Sequence, residues 1–225
     1  MIEETLARSI FKINPQAIAK AAIESISKLH PEVREILFQS KNEQTFSSLL
    51  ASELNSTFGL KHTSFLTEIK GETITRKDLK KVPNFHDIAL LDADGKIEVT
   101  VENKAWYHFD GAKGVHGKIG QTVIEGLNWD IGKTLITMKK DGSRGFILFI
   151  VMTPKIFTKY ESSHKTSLKR AGGNLGKYRS DGASGFLQLM KSQNELKDIS
   201  HAPFSSGQGS ESNFCLDVFC AELVK

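Results

Sequence analysis

The sequence predicts an α/β fold: a mixed central β-sheet flanked by helices, with an N-terminal helical extension. Three observations carry this. Helix signals fill the first forty or so residues, strand-like segments begin near residue 63, and a helical stretch at 118–135 separates two of those strands.

In chain order, Asn14-Pro15 gives a cap and a first helical position, opening a helix over 15–30, and Pro31 opens a second over 31–39. A third helix is expected over 42–57, where Phe46, Leu49, Leu50 and Leu54 recur at helical spacing before Gly59 stops it. Residues 63–70 form a strand candidate, followed by a charged connection through Lys81. Strands at 86–91 and 96–104 flank Asp94-Gly95, a two-residue hairpin signal. Residues 118–135 place Ile119, Val123, Leu127, Ile131 and Leu135 four apart, as on a helix. Gly145 and the apolar run that follows it read as a central strand over 145–152, buried on both faces. The glycine- and lysine-rich segment 155–185 reads as irregular or mixed. A helix is expected over 186–198, a mobile loop over 205–212 and a last strand over 214–224. The organisation expected is a helical extension at 1–41 and a main domain at 42–225.

The chain has 225 residues with 30 Lys+Arg against 26 Asp+Glu, 39% apolar and 25% charged, which excludes disorder, collagen and a coiled coil. Its longest apolar run, 146–152, is seven residues against the roughly 20 that cross a bilayer, so no membrane role is expected. The start, Met-Ile-Glu-Glu, has no secretory-signal character. Cys215 and Cys220, five apart on one strand and so on opposite faces, are too few for a disulfide framework or a zinc site. A cytoplasmic location is expected. The formal charge of +4 is concentrated between Lys159 and Arg179, where Lys159, Lys165, Lys169, Arg170, Lys177 and Arg179 face one acid, Glu161. That segment reads either as a solvated loop or as a grip for a polyanion, nucleic acid being the commonest.

The hairpin carries the chemistry. With Asp94-Gly95 as the two central turn residues, Leu91 faces Glu98, Ala89 faces Thr100 and Asp87 lies opposite Glu102. Ile88, Leu90, Val99 and Val101 then form a core face, and Asp87, Ala89, Thr100, Glu102 and Lys104 the other. Carboxylates directly across a strand pair repel, and a divalent cation reverses that sign through hard oxygen ligands. Lys104, two residues past Glu102, brings an ammonium to the same face. Phosphodiester hydrolysis needs such a set, since the metal acidifies a water and the lysine orients it or offsets charge. A solvated polar hairpin face remains the alternative. Glu43 adds weight, because it falls on the arc of Phe46, Leu50 and Leu54 and so is aimed inward. Glu53 falls there too and is kept as the alternative. Trp106, Tyr107, His108 and His116 either line a nucleic-acid groove or close a core edge. Gly111, Gly114, Gly117 and Gly120 suggest a flexible turn.

A helix with an inward Glu, a strand with Asp, a hairpin and a strand ending in Glu-x-Lys together resemble the PD-(D/E)XK nuclease superfamily over roughly residues 42–152. His86 stands where the pattern has proline. The resemblance implies a restriction endonuclease-like core with Asp87, Glu102 and the Asn103 carbonyl as metal ligands, Lys104 as the catalytic lysine and Glu43 as a supporting carboxylate. It implies Mg²⁺ as cofactor, with Mn²⁺ as substitute, and a DNA endonuclease of restriction or defence type. Lys165, Lys169, Arg170, Lys177 and Arg179 would grip phosphates of double-stranded DNA. Cutting two strands favours a homodimer, with the N-terminal helices as its interface. A non-catalytic module binding nucleic acid or protein, and an RNA nuclease, are the alternatives.

Overall fold

The computed structural model describes residues 12–40, 42–58, 64–75, 81–115, 117–153, 161–205 and 215–224. Its elements are α1 (Pro15–Ser27), α2 (Pro31–Ser40), α3 (Glu43–Phe58), β1 (Ser64–Thr75), β2 (Lys81–Leu91), β3 (Ile97–Tyr107) and α4 (His108–Val115). They continue as α5 (Gln121–Asp141), β4 (Arg144–Thr153), α6 (Glu161–Arg170), α7 (Leu175–Lys191), β5 (Leu196–Ser205) and β6 (Cys215–Leu223). The six strands form one mixed sheet in the order β1-β2-β3-β4-β6-β5. β3 and β4 run parallel and the other described pairs antiparallel. A parallel pair needs a long crossover, here supplied by α4 and α5. The expected α/β class, a mixed sheet flanked by helices, is what the chain adopts. Among the described residues no helix is long and apolar enough to cross a membrane.

Helix starts follow the capping chemistry. Asn14 accepts from the Ala17 N–H at 2.9 Å with Pro15 in the first turn, and Asn42 accepts from the Thr45 N–H at 3.0 Å. α5 ends where Gly142, at φ +72°, turns left-handed and donates to the Met138 carbonyl.

The core lies on both sides of the sheet. On one face α1 and α3 cover Ile88, Leu90, Val99, Val101, Leu148 and Ile150; Ile18, Phe38, Phe46 and Leu50 belong to the same cluster. On the other, α5 and α7 contribute Leu127, Ile131, Phe186 and Met190 over Ile147, Phe149, Val151 and Phe219. β4 is therefore sandwiched, as its apolar run predicts.

Three expectations need correction. The hairpin loop is not Asp94-Gly95 alone. Asp92 exchanges backbone bonds with Gly95 and Lys96 (3.1 and 2.9 Å), and its carboxylate accepts from the Asp94 and Lys96 N–H groups. Leu91 thus pairs with Ile97 rather than Glu98, and inside that pair Asp92 and Lys96 flank a three-residue loop, 93–95, that ends in Gly95 at φ +79°. The register then slips once more between Leu90 and Leu91, where Glu98 is the extra residue on β3. The two irregularities cancel, and Ala89 still pairs with Thr100 and Ile88 with Val101.

The second correction concerns segment 155–185, which is largely helical, as α6 and α7. The helix expected over 186–198 is the end of α7, and β5 follows from Leu196. Third, Gly111 and Gly114 belong to helix α4 rather than a flexible turn. These glycines serve a close helix contact: a Cβ on Gly182 would meet the His108 backbone, and one on Gly185 the Gly111 carbonyl. Residues 206–214, most of the expected loop, lie outside the described residues.

Candidate active site

The β2–β3 ladder ends at Ile88/Val101, but β3 continues beside β4 to Tyr107 and β2 continues beside β1. The strands part, and backbone N–H groups of β3 face the fork without a ladder partner. Carboxylates take that place: Asp87 Oδ2 accepts from the Asn103 N–H at 2.8 Å, and Glu43 Oε1 from the Ala105 N–H at 3.1 Å. In an extended strand the carbonyl of a residue faces the same side as its N–H, which turns the Asn103 carbonyl toward the fork. The Asn103 amide donates to the Glu43 carbonyl (3.2 Å) and Ser47 Oγ (3.3 Å), tying the start of α3 to β3.

The polar face of the hairpin is not solvated. α5 lies over it and supplies Asp130, Lys133 and Thr137. Glu102, wholly buried, has Oε1 2.5 Å from His86 Nδ1 and Oε2 2.5 Å from Lys133 Nζ. Because a carboxylate only accepts, His86 donates from Nδ1, while its Nε2 lies 2.8 Å from Thr137 Oγ1. Lys133 Nζ also donates to the Phe85 carbonyl at 3.1 Å and lies 3.3 Å from Asp130 Oδ1. Asp130 Oδ2 is 3.4 Å from Lys104 Nζ, which is 3.5 Å from Glu43 Oε2. Charges therefore alternate from Glu102 inside, through Lys133, Asp130 and Lys104, to the half-exposed Glu43 at the mouth.

Burial and, next, the charge of Glu102 push the Asp87 carboxyl up to about 7 against the pull of Lys104 and Lys133. Burial opposes ionisation of Glu102, but the His86 hydrogen bond and the Lys133 ammonium hold it below the usual carboxylate range. Burial also works against charge on Lys104, yet Asp130, Asp87 and Glu43 keep its pKa above that of a free lysine. Asp130 is raised by burial despite its two lysine neighbours.

Glu43, Asp87, Glu102, Asn103 and Lys104 thus lie together at the fork, although Asp87 and Glu102 are not a ladder pair: Asp87 serves the Asn103 N–H, while Glu102 is held by His86 and Lys133. Glu53 is not among them, because it is ion-paired to Lys28 at 2.5 Å. The five basic residues sit on α6 and α7, which pack against α4. Lys165, Lys169 and Arg170 are exposed, Lys177 is paired with Asp181 at 2.9 Å, and Arg179 is half-buried beside Cys215. Lys159 and His116 lie outside the described residues. Tyr107 and His108 close the core rather than line a groove. Tyr107 donates to the Phe38 carbonyl, and buried His108 contacts Asp217 and Thr153. Trp106 packs on Phe186.

Sequence reasoning missed His86, Asp130, Lys133 and Thr137. A signal existed: Asp130, Lys133, Thr134 and Thr137 recur at helical spacing as a polar stripe beside the apolar one.

Among the described residues no group of three or more His, Cys, Asp or Glu side chains is gathered to hold a metal ion. Mg²⁺ needs no such cage, since one or two carboxylates, water and substrate phosphate suffice. The charge balance fits a divalent cation. With Asp87 ionised and His86 neutral, four carboxylates (Glu43, Asp87, Glu102, Asp130) meet two ammonium groups (Lys104, Lys133), an excess of two negative charges. No family model matches the chain, and neither a curated protein nor a solved structure matches it.

Proposed function

We propose that the chain is a Mg²⁺-dependent nuclease of the PD-(D/E)XK kind, a DNA endonuclease of restriction or defence type acting on double-stranded DNA in the cytoplasm. The observation that carries this reading is the gathering of the Glu43, Asp87, Glu102 and Asp130 carboxylates at a strand fork with the Lys104 ammonium at its mouth. Asp87, Glu102 and the Asn103 carbonyl would hold the ion. When bound, it acidifies a water and offsets phosphoryl charge. Lys104, kept protonated by Asp130, Asp87 and Glu43, orients that water or stabilises the developing charge. Glu43 positions Lys104 through its 3.5 Å contact and locks β3 through the Ala105 N–H. The exposed Lys165, Lys169 and Arg170 would hold phosphates without reading bases, joined by Lys177 and Arg179 where their present partners release them. A two-fold dimer would serve two-strand cleavage.

The engagement of both Glu102 oxygens favours a second reading, a non-catalytic module that holds nucleic acid or a protein partner. Incubation of supercoiled plasmid with Mg²⁺ or EDTA separates the two. Metal-dependent nicking is expected, whereas salt-sensitive retention without nicking overturns the nuclease reading. The same incubation with RNA identifies a ribonuclease.

A further inference from the structure

We propose that Lys133 is a resident cation, which a divalent metal ion must displace from Glu102 before the site is loaded. The inference rests on the metal-dependent reading and adds a control built into helix α5. Lys133 is only 7% exposed, and its ammonium meets three acceptors: Glu102 Oε2 at 2.5 Å, Asp130 Oδ1 at 3.3 Å and the Phe85 carbonyl at 3.1 Å. These match its three N–H groups. The oxygen it holds is the one turned toward Asp87, whose N–H lies 3.5 Å from the same Oε2. The other oxygen belongs to His86. An ion shared by Asp87 and Glu102 therefore needs the place Lys133 fills.

The ammonium has somewhere to go. Asp130, three residues earlier on the same helix, is already its neighbour, and Asp130 Oδ2 is buried without a hydrogen-bond partner although Lys104 lies 3.4 Å away. A lysine stem has the freedom for that short swing. Once the ion arrives, Asp130 retains both lysines, and Glu102 exchanges one cation for another without being left as an unpaired buried charge. Lys133 acts through Glu102 and is a positioning residue.

Two measurements on the whole chain test this. Calorimetric titration with Mn²⁺ compares the wild type with Lys133→Gln, whose folding is checked by its thermal transition in EDTA. Because the variant leaves Glu102 without its cation, it should bind Mn²⁺ at least about tenfold more tightly. In the wild type, the ¹⁵Nζ resonance of Lys133 should shift as Mg²⁺ saturates the site, a reading that needs no variant to fold. Equal or weaker Mn²⁺ binding by a folded variant, or an unmoved Lys133 resonance at saturation, overturns the inference and leaves the metal site intact. Failure of both proteins to bind Mn²⁺ overturns the metal reading and this inference with it.

Discussion

Asp87→Asn should stabilise the metal-free protein while abolishing cleavage. The native carboxyl is raised from an ordinary 3.8 to about 7, so between these values the folded chain binds a proton that the unfolded chain has released. Stability therefore falls as pH rises through this window, is unaffected below it, and carries the whole cost above pH 7. At 1.36 kcal/mol per pH unit the interval corresponds to about 4 kcal/mol. Asparagine removes the charge yet keeps an oxygen for the Asn103 N–H that Asp87 now serves at 2.8 Å. Allowing for relaxation around the charged form, a gain of about 2–4 kcal/mol at pH 8 is expected, shrinking to little near pH 4. Urea unfolding of both proteins in EDTA at the two pH values measures it. A variant no more stable than wild type at pH 8, or a gain independent of pH, would refute the reasoning.

Lys104→Ala should lower cleavage at least about 100-fold with DNA retention almost unchanged; full activity would remove the lysine from the mechanism. Glu43→Gln, which weakens the hold on Lys104, should slow cleavage by about tenfold or more. Glu53→Gln should leave cleavage unchanged and stability within about 1 kcal/mol, because its Lys28 partner is largely exposed. Similar loss in both variants would misplace the helix carboxylate. Gly185→Ala should cost about 3 kcal/mol in urea unfolding by driving a methyl into the Gly111 carbonyl, and a loss under about 1 kcal/mol would show that α4 and α7 separate readily.

How much was legible follows from what each pattern encodes. β4 announces itself because a strand covered on both faces must be apolar throughout. Asp87, Glu102 and Lys104 could be grouped because strand alternation is rigid, and Glu43 because it precedes an apolar helical stripe. Glu53 shared that stripe, and the two are separated only by what they meet in the fold, Lys28 for Glu53 and the Ala105 N–H and Lys104 for Glu43. The α5 contribution stayed hidden because polar positions on a helix ordinarily mean water, and here they meet another polar surface instead. Neither half reveals the pairing alone. In α7, glycines suggest loop by their backbone freedom, while their use is to let two helices touch, a property of the neighbour as much as of the segment.

The Glu98 bulge takes up one residue between the Gly95 loop and the acidic alignment, and so shields that alignment from a change of chain length at this point. Deleting Glu98 alone would remove the bulge and leave every later β3 residue paired as before, Val99 with Leu90 and Thr100 with Ala89, so the Glu102 carboxyl would keep its face of the sheet. Homologous chains that lack a residue at this one position should therefore be found with the acidic site intact.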